Sequence, residues 1–146
     1  AQFQEVYKRR VRVYQYEDAN FGQLPQETFS FVFSWNYFEY LPYDMIDKYF
    51  ACIYNLLLPG GIVFISYADC LQAKIAEQFE SNYYCYMTKE LLEGLANKNG
   101  FDLVSDGHYQ FRTSWAVIQK PGELPQGIKD TPSLGYLKNV AQEPLP

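Results

Sequence analysis

The sequence predicts an α/β fold whose mostly parallel sheet ends in an antiparallel last strand. Residues 28–67 carry the first reason, because two strand-like apolar segments flank an amphipathic segment there, which is the order of a βαβ unit. The second reason is the dipeptide Asp106-Gly107 between two later strand-like segments, since this pair is typical of a tight antiparallel turn. A chain of 146 residues has the usual size of one domain with one core.

The amino-terminal half contains the predicted βαβ unit and one strand before it. Val11 to Tyr16 alternate between apolar and polar side chains with the period of a half-buried strand, and Glu17 to Gln26 form a predicted turn. Phe29 to Phe33 are nearly all aromatic or β-branched, which favours a buried strand. Asp44 is positioned to cap the following helix, and Gly61 to Tyr67 form the next strand. The inner face of that helix is predicted to hold Ile46, Tyr49, Phe50, Ile53 and Leu57.

The carboxyl-terminal half continues with two helices and two strands. A helix is predicted from about Leu71 to Phe79, and Thr88 is positioned to cap another that ends before Gly100. Phe101 to Val104 and Phe111 to Gln119 are the predicted strands on either side of the turn. The inner face of the capped helix is predicted to hold Leu91, Leu92, Leu95 and Ala96.

The composition changes after residue 120, where five of the eight prolines lie. Residues 1–120 are therefore predicted to form the α/β domain, and residues 121–146 an extended Pro-rich arm. Two interpretations of the arm are open, a free tail and a strap across a partner.

Charge, cysteine content and hydropathy exclude several classes of protein. The net charge of -5 argues against nucleic-acid binding, which needs Lys and Arg against phosphates. The three cysteines lack the spacing of a disulfide framework or a zinc site, and no other metal motif occurs, so we expect a reducing compartment and no metal. The longest apolar segments are far shorter than a membrane span, so we expect a cytoplasmic protein that does not bind membranes.

Four motifs occur in an order that resembles the C-terminal two-thirds of class I S-adenosylmethionine-dependent methyltransferases. They are YEDANFGQLP at residues 16–25, FSFVFSWNYFEYLP at 29–42, LLLPGG at 56–61 and YMTKELLEGLANKNGFDLV at 86–104. The resemblance implies a partial Rossmann-like methyltransferase fold, with S-adenosylmethionine as cofactor once the missing amino-terminal part is supplied. That part holds the first two strands and a glycine-rich cofactor loop, whereas the first glycine of this sequence is Gly22.

The resemblance also implies where the cofactor lies. Asp18 would accept a hydrogen bond from the adenine amino group, and Ala19 would donate its backbone N–H to the ring. Ser34, Trp35 and Asn36 would lie near the sulfonium, which the Trp35 ring would attract through a cation–π contact.

No residue is identified as catalytic, but two are candidates. Glu39 or Tyr40 would assist the methyl acceptor, or would only pack the start of the helix. The tyrosines of the loop at 83–86 would form either a lid over the acceptor or a cover for the sheet edge. His108, the only histidine, is expected on the surface in the predicted turn.

The missing strands have a geometric consequence. In the strand order that the resemblance implies, they lie between residues 11–16 and Phe29–Phe33, so their removal leaves a gap of about 14 Å. Three outcomes are expected for this gap. A second protein chain completes the sheet, the first segment pairs elsewhere, or the sequence is part of a longer protein.

Two functions remain open. In the first, the chain is the carboxyl-terminal portion of a methyltransferase that acts on a small molecule or a glycan, because no DPPY or NPPY motif of nucleic-acid methyltransferases follows the strand at 29–33. In the second, it is a non-catalytic methyltransferase-like structural or interaction module of a phage particle, and its location is the virion. A weaker similarity of WAVIQKPG at residues 115–122 to the ends of methyltransferase-like proteins of marine bacteriophages favours the second.

Overall fold

The computed structural model describes residues 12–72, 75–76, 84–109 and 113–129. The strands are β1 (Phe29–Ser34), β2 (Leu57–Tyr67), β3 (Asp102–Tyr109) and β4 (Thr113–Gln119). The helices are α1 (Tyr43–Leu56), α2 (Lys89–Lys98) and the short α3 (Gln126–Lys129), with a 3₁₀ helix at Phe38–Tyr40. None of the helices in the described ranges has the length and apolar composition that a bilayer span requires.

The four strands form one mixed sheet in the order β1-β2-β4-β3. β1 and β2 are parallel, whereas β4 is antiparallel to both of its neighbours, β2 and β3. The α/β class and the antiparallel last strand are confirmed, but the prediction of a mostly parallel sheet is wrong. The physical reason is that β4 lies between β2 and β3 and is antiparallel to both, so this single strand makes two of the three strand pairings antiparallel.

Helix α1 connects the two parallel strands, as the periodicity predicts. All five predicted inner side chains are buried, but Leu57 belongs to β2 and not to the helix. The predicted cap is wrong, because Pro42 occupies the N-cap position and Asp44 lies in the first turn. A carboxylate in the first turn still interacts favourably with the helix dipole.

The carboxyl end of α1 is held by groups that are distant in sequence. The backbone N–H groups of Glu27 and Thr28 donate to the carbonyls of Asn55 and Leu56 at 2.9 Å. The buried Lys120 ammonium donates to the carbonyls of Tyr54 and Leu57 at 3.0 and 2.8 Å. These bonds satisfy carbonyl groups that a helix end leaves without partners, so they join β1, α1 and the end of β4.

Helix α2 begins and ends where the sequence predicts. The Thr88 hydroxyl accepts from the backbone N–H of Leu91 at 3.2 Å, which confirms the N-cap. Gly100 has a φ of +88°, the left-handed conformation of a residue that follows a helix, and its Cα faces the Tyr54 ring.

Helices α1 and α2 cover the same face of the sheet, which we call the helix-covered face. The core there joins both helices to the inward residues of β2 and β4. Among its side chains with at most 1% exposure are Ile46, Phe50, Val63, Ile65, Leu92, Leu95, Ala116 and Ile118. Of the predicted helix at 71–79, residues 71–72 form a turn and a bend, residues 75–76 are helical, and the other residues lie outside the described ranges.

The predicted first strand does not form in the part that the structure describes. Residues 12–16 make no strand pairing and are exposed, and Val11 lies outside the described residues. Gln23 Nε2 donates to the Gln15 carbonyl at 2.6 Å, and the Tyr16 ring packs on Phe21 and on Tyr49 of α1. The strand prediction is therefore wrong for residues 12–16, because alternation alone cannot form a strand that has no neighbour to pair with.

The predicted turn at Asp106-Gly107 is also wrong, because β3 continues through both residues to Tyr109. Gly107 is needed for close packing instead. A Cβ atom there would lie 2.6 Å from the Trp115 ring of β4. His108 lies in the same strand and remains exposed, with Nδ1 at 2.9 Å from Ser114 Oγ.

The first part of the predicted arm packs against the sheet. Leu124 contacts Ile62 and Val117 on the face opposite the helices, and residues 122–124 lie against Gly60 so closely that a Cβ atom there would clash. Residues 130–146, which make up most of the predicted arm, lie outside the described residues.

Candidate functional site

The candidate site lies at the carboxyl ends of β1 and β2, where open α/β sheets bind ligands. The chain leaves β1 at Ser34 and turns sharply at Asn36, which has a φ of +54°. The Asn36 backbone N–H donates to Ser66 Oγ near the end of β2 at 2.7 Å. This bond holds the loop that follows β1 over the end of β2.

Ser66 also fixes the carboxyl group of Glu39. The Ser66 hydroxyl donates to Glu39 Oε1 at 2.9 Å, and the Glu39 residue is only 4% exposed. The second carboxyl oxygen, Oε2, is fully buried and has no hydrogen-bond partner within the described ranges. Sequence reasoning named Glu39 as a catalytic candidate but gave no sign of this unsatisfied oxygen.

The loop at residues 17–20 has the conformation of a tight left-handed turn. Asp18 and Ala19 have φ values of +51° and +57°, and the Asn20 N–H donates to the Glu17 carbonyl at 3.0 Å. Asp18 is exposed, whereas the Ala19 side chain is 2% exposed and packs in the main core. The structure thus presents the Asp18 carboxylate to solvent on a turn that Ala19 anchors.

Tyr49 of α1 brings the two loops together. Its hydroxyl lies 2.8 Å from the Tyr37 hydroxyl in the loop after β1, and its ring contacts Tyr16 and Phe21 in the earlier loop. Burial raises the pKa of Tyr49, and hydrogen bonds to the hydroxyls of Tyr37 and Tyr16 raise it further. The Tyr49 phenol is therefore neutral near pH 7 and serves as a hydrogen-bonding group.

A cavity of about 220 Å³ lies between these loops, α1 and the outer edge of β1. Its walls are mostly apolar, and the three tyrosine hydroxyls and Ser34 supply most of the polar side-chain atoms. Of the residues predicted to contact the cofactor, only Ser34 belongs to the lining. The other lining residues are Tyr16, Phe21, Leu24, Phe29, Val32, Phe33, Tyr37, Phe38, Tyr49, Ile53 and Leu56.

Trp35 belongs to a different surface. Its ring is stacked near Phe64 and Phe33 at 5.9 and 6.4 Å, and meets Tyr109 edge-on at 6.1 Å. Because side chains alternate along a strand, Phe64 and its stacking partners lie opposite the helix-covered face. We call this surface the aromatic face, and it consists of Phe31, Phe33, Trp35, Phe64, Tyr109 and Trp115.

The aromatic loop after the second strand meets the 3₁₀ helix. The Tyr84 ring lies 5.5 Å from the Tyr40 ring, and the Cys85 backbone N–H donates to the Glu39 carbonyl at 2.9 Å. A hydrogen bond with Cys70 raises the pKa of Tyr86. Tyr83 lies outside the described residues, so the lid prediction is described only in part.

The family follows from a match over most of the chain. A family model for a methyltransferase domain matches residues 3–106, which is more than half of the sequence. The chain belongs to this methyltransferase family. A comparison of the chain with curated proteins gives no match.

Solved structures show the same fold. A protein from Pyrococcus horikoshii OT3 is similar with a TM-score of 0.64 and 13% identity, over 82% of this chain and 64% of that chain. A SAM-dependent methyltransferase from Thermotoga maritima, described as a possible histamine N-methyltransferase, has a TM-score of 0.63 and 17% identity, over 82% and 69%. An O-methyltransferase family protein from Burkholderia thailandensis has a TM-score of 0.67 and 12% identity, over 84% and 40%.

This chain spans only part of the length of each of these proteins. It spans 64% of the Pyrococcus protein, 69% of the Thermotoga protein and 40% of the Burkholderia protein. The similarity at these identities shows the fold alone.

Proposed function

We propose that this chain forms the carboxyl-terminal part of an S-adenosylmethionine-dependent methyltransferase that acts on a small molecule or a glycan. The observation that supports the proposal best is the convergence on Tyr49. The loop that carries Asp18 and the loop that follows β1 are distant in sequence, yet both pack against this one side chain. They also border the same cavity, at the sheet edge where ligands bind in open α/β folds.

The residues of the Asp18 loop fit the adenine end of the cofactor. An exposed carboxylate suits an exocyclic amine, because it offers acceptor sites and no donor. The anchored Ala19 holds the backbone of the turn in place beside it. Asp18 and Ala19 would bind adenine, and Ser34 and Asn36 would lie near the methionine part.

Trp35 is left out of the cofactor site in this proposal. Its ring stacks with Phe33 and Phe64 on the aromatic face, whereas the cavity lies toward α1. A cation–π contact requires the charge to lie over the ring within about 6 Å, and Trp35 is not among the residues that line the cavity.

The bound cofactor would supply a methyl group on a positively charged sulfur. The protein has to align the acceptor with that methyl group and keep water away, and both tasks depend on position more than on acid–base chemistry. The hydroxyl groups of Tyr49 and Tyr37 lie 2.8 Å apart, so they present a hydrogen-bonding rim to the cavity.

The outer edge of β1 supports a second element of the proposal. Within the described residues β1 pairs only with β2, and the apolar cavity runs beside the opposite edge of β1. An additional parallel strand, supplied by a second protein chain, would pair with this edge and fill part of the cavity with apolar side chains. The same chain would bring a glycine-rich loop to the cofactor.

Titration calorimetry with S-adenosylmethionine tests the proposal directly. We expect saturable binding, and we expect Asp18→Gly to weaken it about tenfold because a hydrogen bond to a charged group is lost. Glycine tolerates the positive φ of this position, so the backbone of the turn is kept.

Glu27→Gly is the matched control for this experiment. Glu27 is also an exposed carboxylate with a positive φ, but it lies at the amino end of β1 and outside the proposed site. Equal weakening by both changes would indicate a general loss of structure. Absence of heat with the unaltered chain at millimolar cofactor would contradict cofactor binding by this chain.

The aromatic face favours one alternative function. Phe33 is 58% exposed and Tyr109 is 48% exposed, and both belong to a continuous stacked surface. Exposed contiguous aromatic surface is typical of protein interaction sites. A non-catalytic interaction module, including one in a phage particle, would use this face and would bind no S-adenosylmethionine in the calorimeter.

A further inference from the structure

The carboxyl group of Glu39 is held rigidly through one of its two oxygens. Oε1 accepts from the Ser66 hydroxyl at 2.9 Å, and Ser66 Oγ accepts in turn from the Asn36 N–H at 2.7 Å. The Glu39 main chain is held as well, because its carbonyl accepts from the Cys85 N–H. The position of the second oxygen is therefore fixed by contacts that do not involve that oxygen.

The second oxygen, Oε2, has no hydrogen-bond partner within the described ranges. It is fully buried and accepts no hydrogen bond from any described group. The described ion pairs of lysines are formed with other acids, Lys89 with Asp106, Lys98 with Asp47 and Lys120 with Glu27. A buried carboxylate is unfavourable unless it is hydrogen-bonded and paired with a positive charge.

The location of this oxygen favours a ligand as its partner. Glu39 lies at the carboxyl ends of β1 and β2, and its neighbours Tyr37 and Phe38 line the cavity. Within the described part of the chain, no cluster of three acidic, histidine or cysteine side chains is arranged to hold a metal ion. A neutral donor would satisfy the hydrogen bond but would leave the carboxylate charge without a counter-charge.

We infer that Glu39 Oε2 is the recognition group for a protonated amine. A primary ammonium group would donate one N–H to Oε2 and neutralise the carboxylate at the same time. Cys85 ties the segment at 84–86 to the 3₁₀ helix through the carbonyls of Glu39 and Tyr40, so we expect this segment to move when the amine enters. One part of the inference rests on the proposed function, namely that this amine belongs to the methyl acceptor.

The test uses n-butylammonium chloride as the probe and n-butanol as its neutral analogue. Backbone amide signals of Asn36 and Cys85 are followed by NMR during the titration. We expect saturable shifts with butylammonium, and binding at least tenfold weaker with butanol. Saturable shifts that are equal with both probes, or no saturable shift with butylammonium up to 100 mM (roughly the weakest measurable range), would overturn the inference.

Glu39→Gln is the variant that isolates the charge. It keeps an amide oxygen for the Ser66 hydroxyl but replaces the charged Oε2, so we expect at least tenfold weaker butylammonium binding and a higher melting temperature without probe. Glu90→Gln, at an exposed position in the first turn of α2, is the matched control and is expected to bind as the unaltered chain does. Retained binding in Glu39→Gln would refute the assignment.

Two further measurements keep the outcome interpretable. If Glu39→Gln does not fold, Ser66→Ala removes the tether of Oε1 and is expected to weaken butylammonium binding severalfold. Calorimetry with S-adenosylmethionine is run on the same samples. Cofactor binding without ammonium binding rejects this inference and leaves the proposed function standing. Ammonium binding without cofactor binding rejects the proposed function and leaves this inference standing.

Discussion

The two faces of the sheet differ in how completely they are covered. On the helix-covered face, Ile65 of β2 and the Phe50 ring of α1 are fully buried in the core, whereas Phe33 on the aromatic face is 58% exposed. Both faces are rich in large apolar groups, so composition does not distinguish them. The difference shows that the helix-covered face is completely packed within the described residues. On the aromatic face, the contacts are mainly between stacked aromatic rings of neighbouring strands.

The same contrast separates the two kinds of functional surface. The cavity and Glu39 lie toward the helices, where rigid packing can hold a small ligand in position. The aromatic face is broad and partly exposed, which suits a large partner better than a small one. Predictions that compare the two faces therefore also test which surface supports the fold and which is available for binding.

The largest expected effect comes from truncating one aromatic side chain on each face. Phe50→Ala removes a fully buried ring from the helix-covered face and should cost about 3–5 kcal/mol of unfolding free energy. Phe33→Ala on the aromatic face should cost less than about 1 kcal/mol, because most of that ring is already in water. Urea unfolding of both variants measures the difference, and equal losses would show that the faces are equally covered.

A smaller effect is expected from adding one methyl group on the aromatic face. Gly107→Ala places a Cβ atom 2.6 Å from the Trp115 ring, and such overpacking costs about 1–3 kcal/mol. Gly94→Ala in α2 is the control, since no atom lies within 4 Å of its Cβ position and alanine favours a helix by about 1 kcal/mol. Thermal unfolding should shift in opposite directions for the two variants. A neutral Gly107→Ala would mean that the Trp115 ring is free to move away.

The smallest effect concerns the outer surface of the helix-covered face, where Asp47 joins α1 to α2. Hydrogen bonds from Lys98 and Asn99 hold the pKa of the Asp47 carboxyl below its ordinary value. The stability from this contact is therefore fully present above the unfolded pKa of about 4 and is lost as the pH falls through the lower folded pKa.

Asp47→Asn should remove this part of the acid dependence. Its unfolding free energy should fall less steeply than that of the unaltered chain between about pH 4 and pH 2, in a urea titration at each pH. An unchanged slope would show that the contact with Lys98 and Asn99 does not stabilise the fold.

Local patterns were sufficient for the elements whose physics is local. The spacing of Ile46, Tyr49, Phe50 and Ile53 predicts the buried stripe of α1, because helical periodicity is a property of neighbouring residues. The Thr88 cap and the position of Gly100 follow for the same reason. The four motifs also predicted the family, which the match over residues 3–106 confirms.

Several errors share one physical cause, which is that a local pattern cannot specify its partner. Residues 12–16 alternate as a strand does, but they have no strand to pair with in the described structure. Asp106-Gly107 has the chemistry of a turn, yet the Trp115 ring of β4 occupies the space above Gly107 and the strand continues. Pro42 and not Asp44 is the N-cap, because α1 begins two residues earlier than the charge pattern indicates.

The candidate site divides in the same way. Asp18, Ala19, Ser34 and Asn36 were named from motifs, and where they bind the cofactor remains a prediction. Nothing in the sequence indicated that Tyr16, Tyr37 and Tyr49 would form one hydroxyl cluster, because these residues come from three separate segments. The unsatisfied oxygen of Glu39 is equally invisible in the sequence, since it depends on how Ser66 and Asn36 use the other polar groups.

The amino-acid order alone specified the class of fold, the inner stripes of both main helices and the methyltransferase family, because periodicity and short motifs act over a few neighbouring residues. The direction of most strand pairings, the cavity beside β1 and the burial of Glu39 were settled only when distant segments packed together. Strand β4 lies between β2 and β3 with Ala116 and Ile118 buried in the main core, and the physical reason is that strand pairing and burial depend on residues that are distant in sequence.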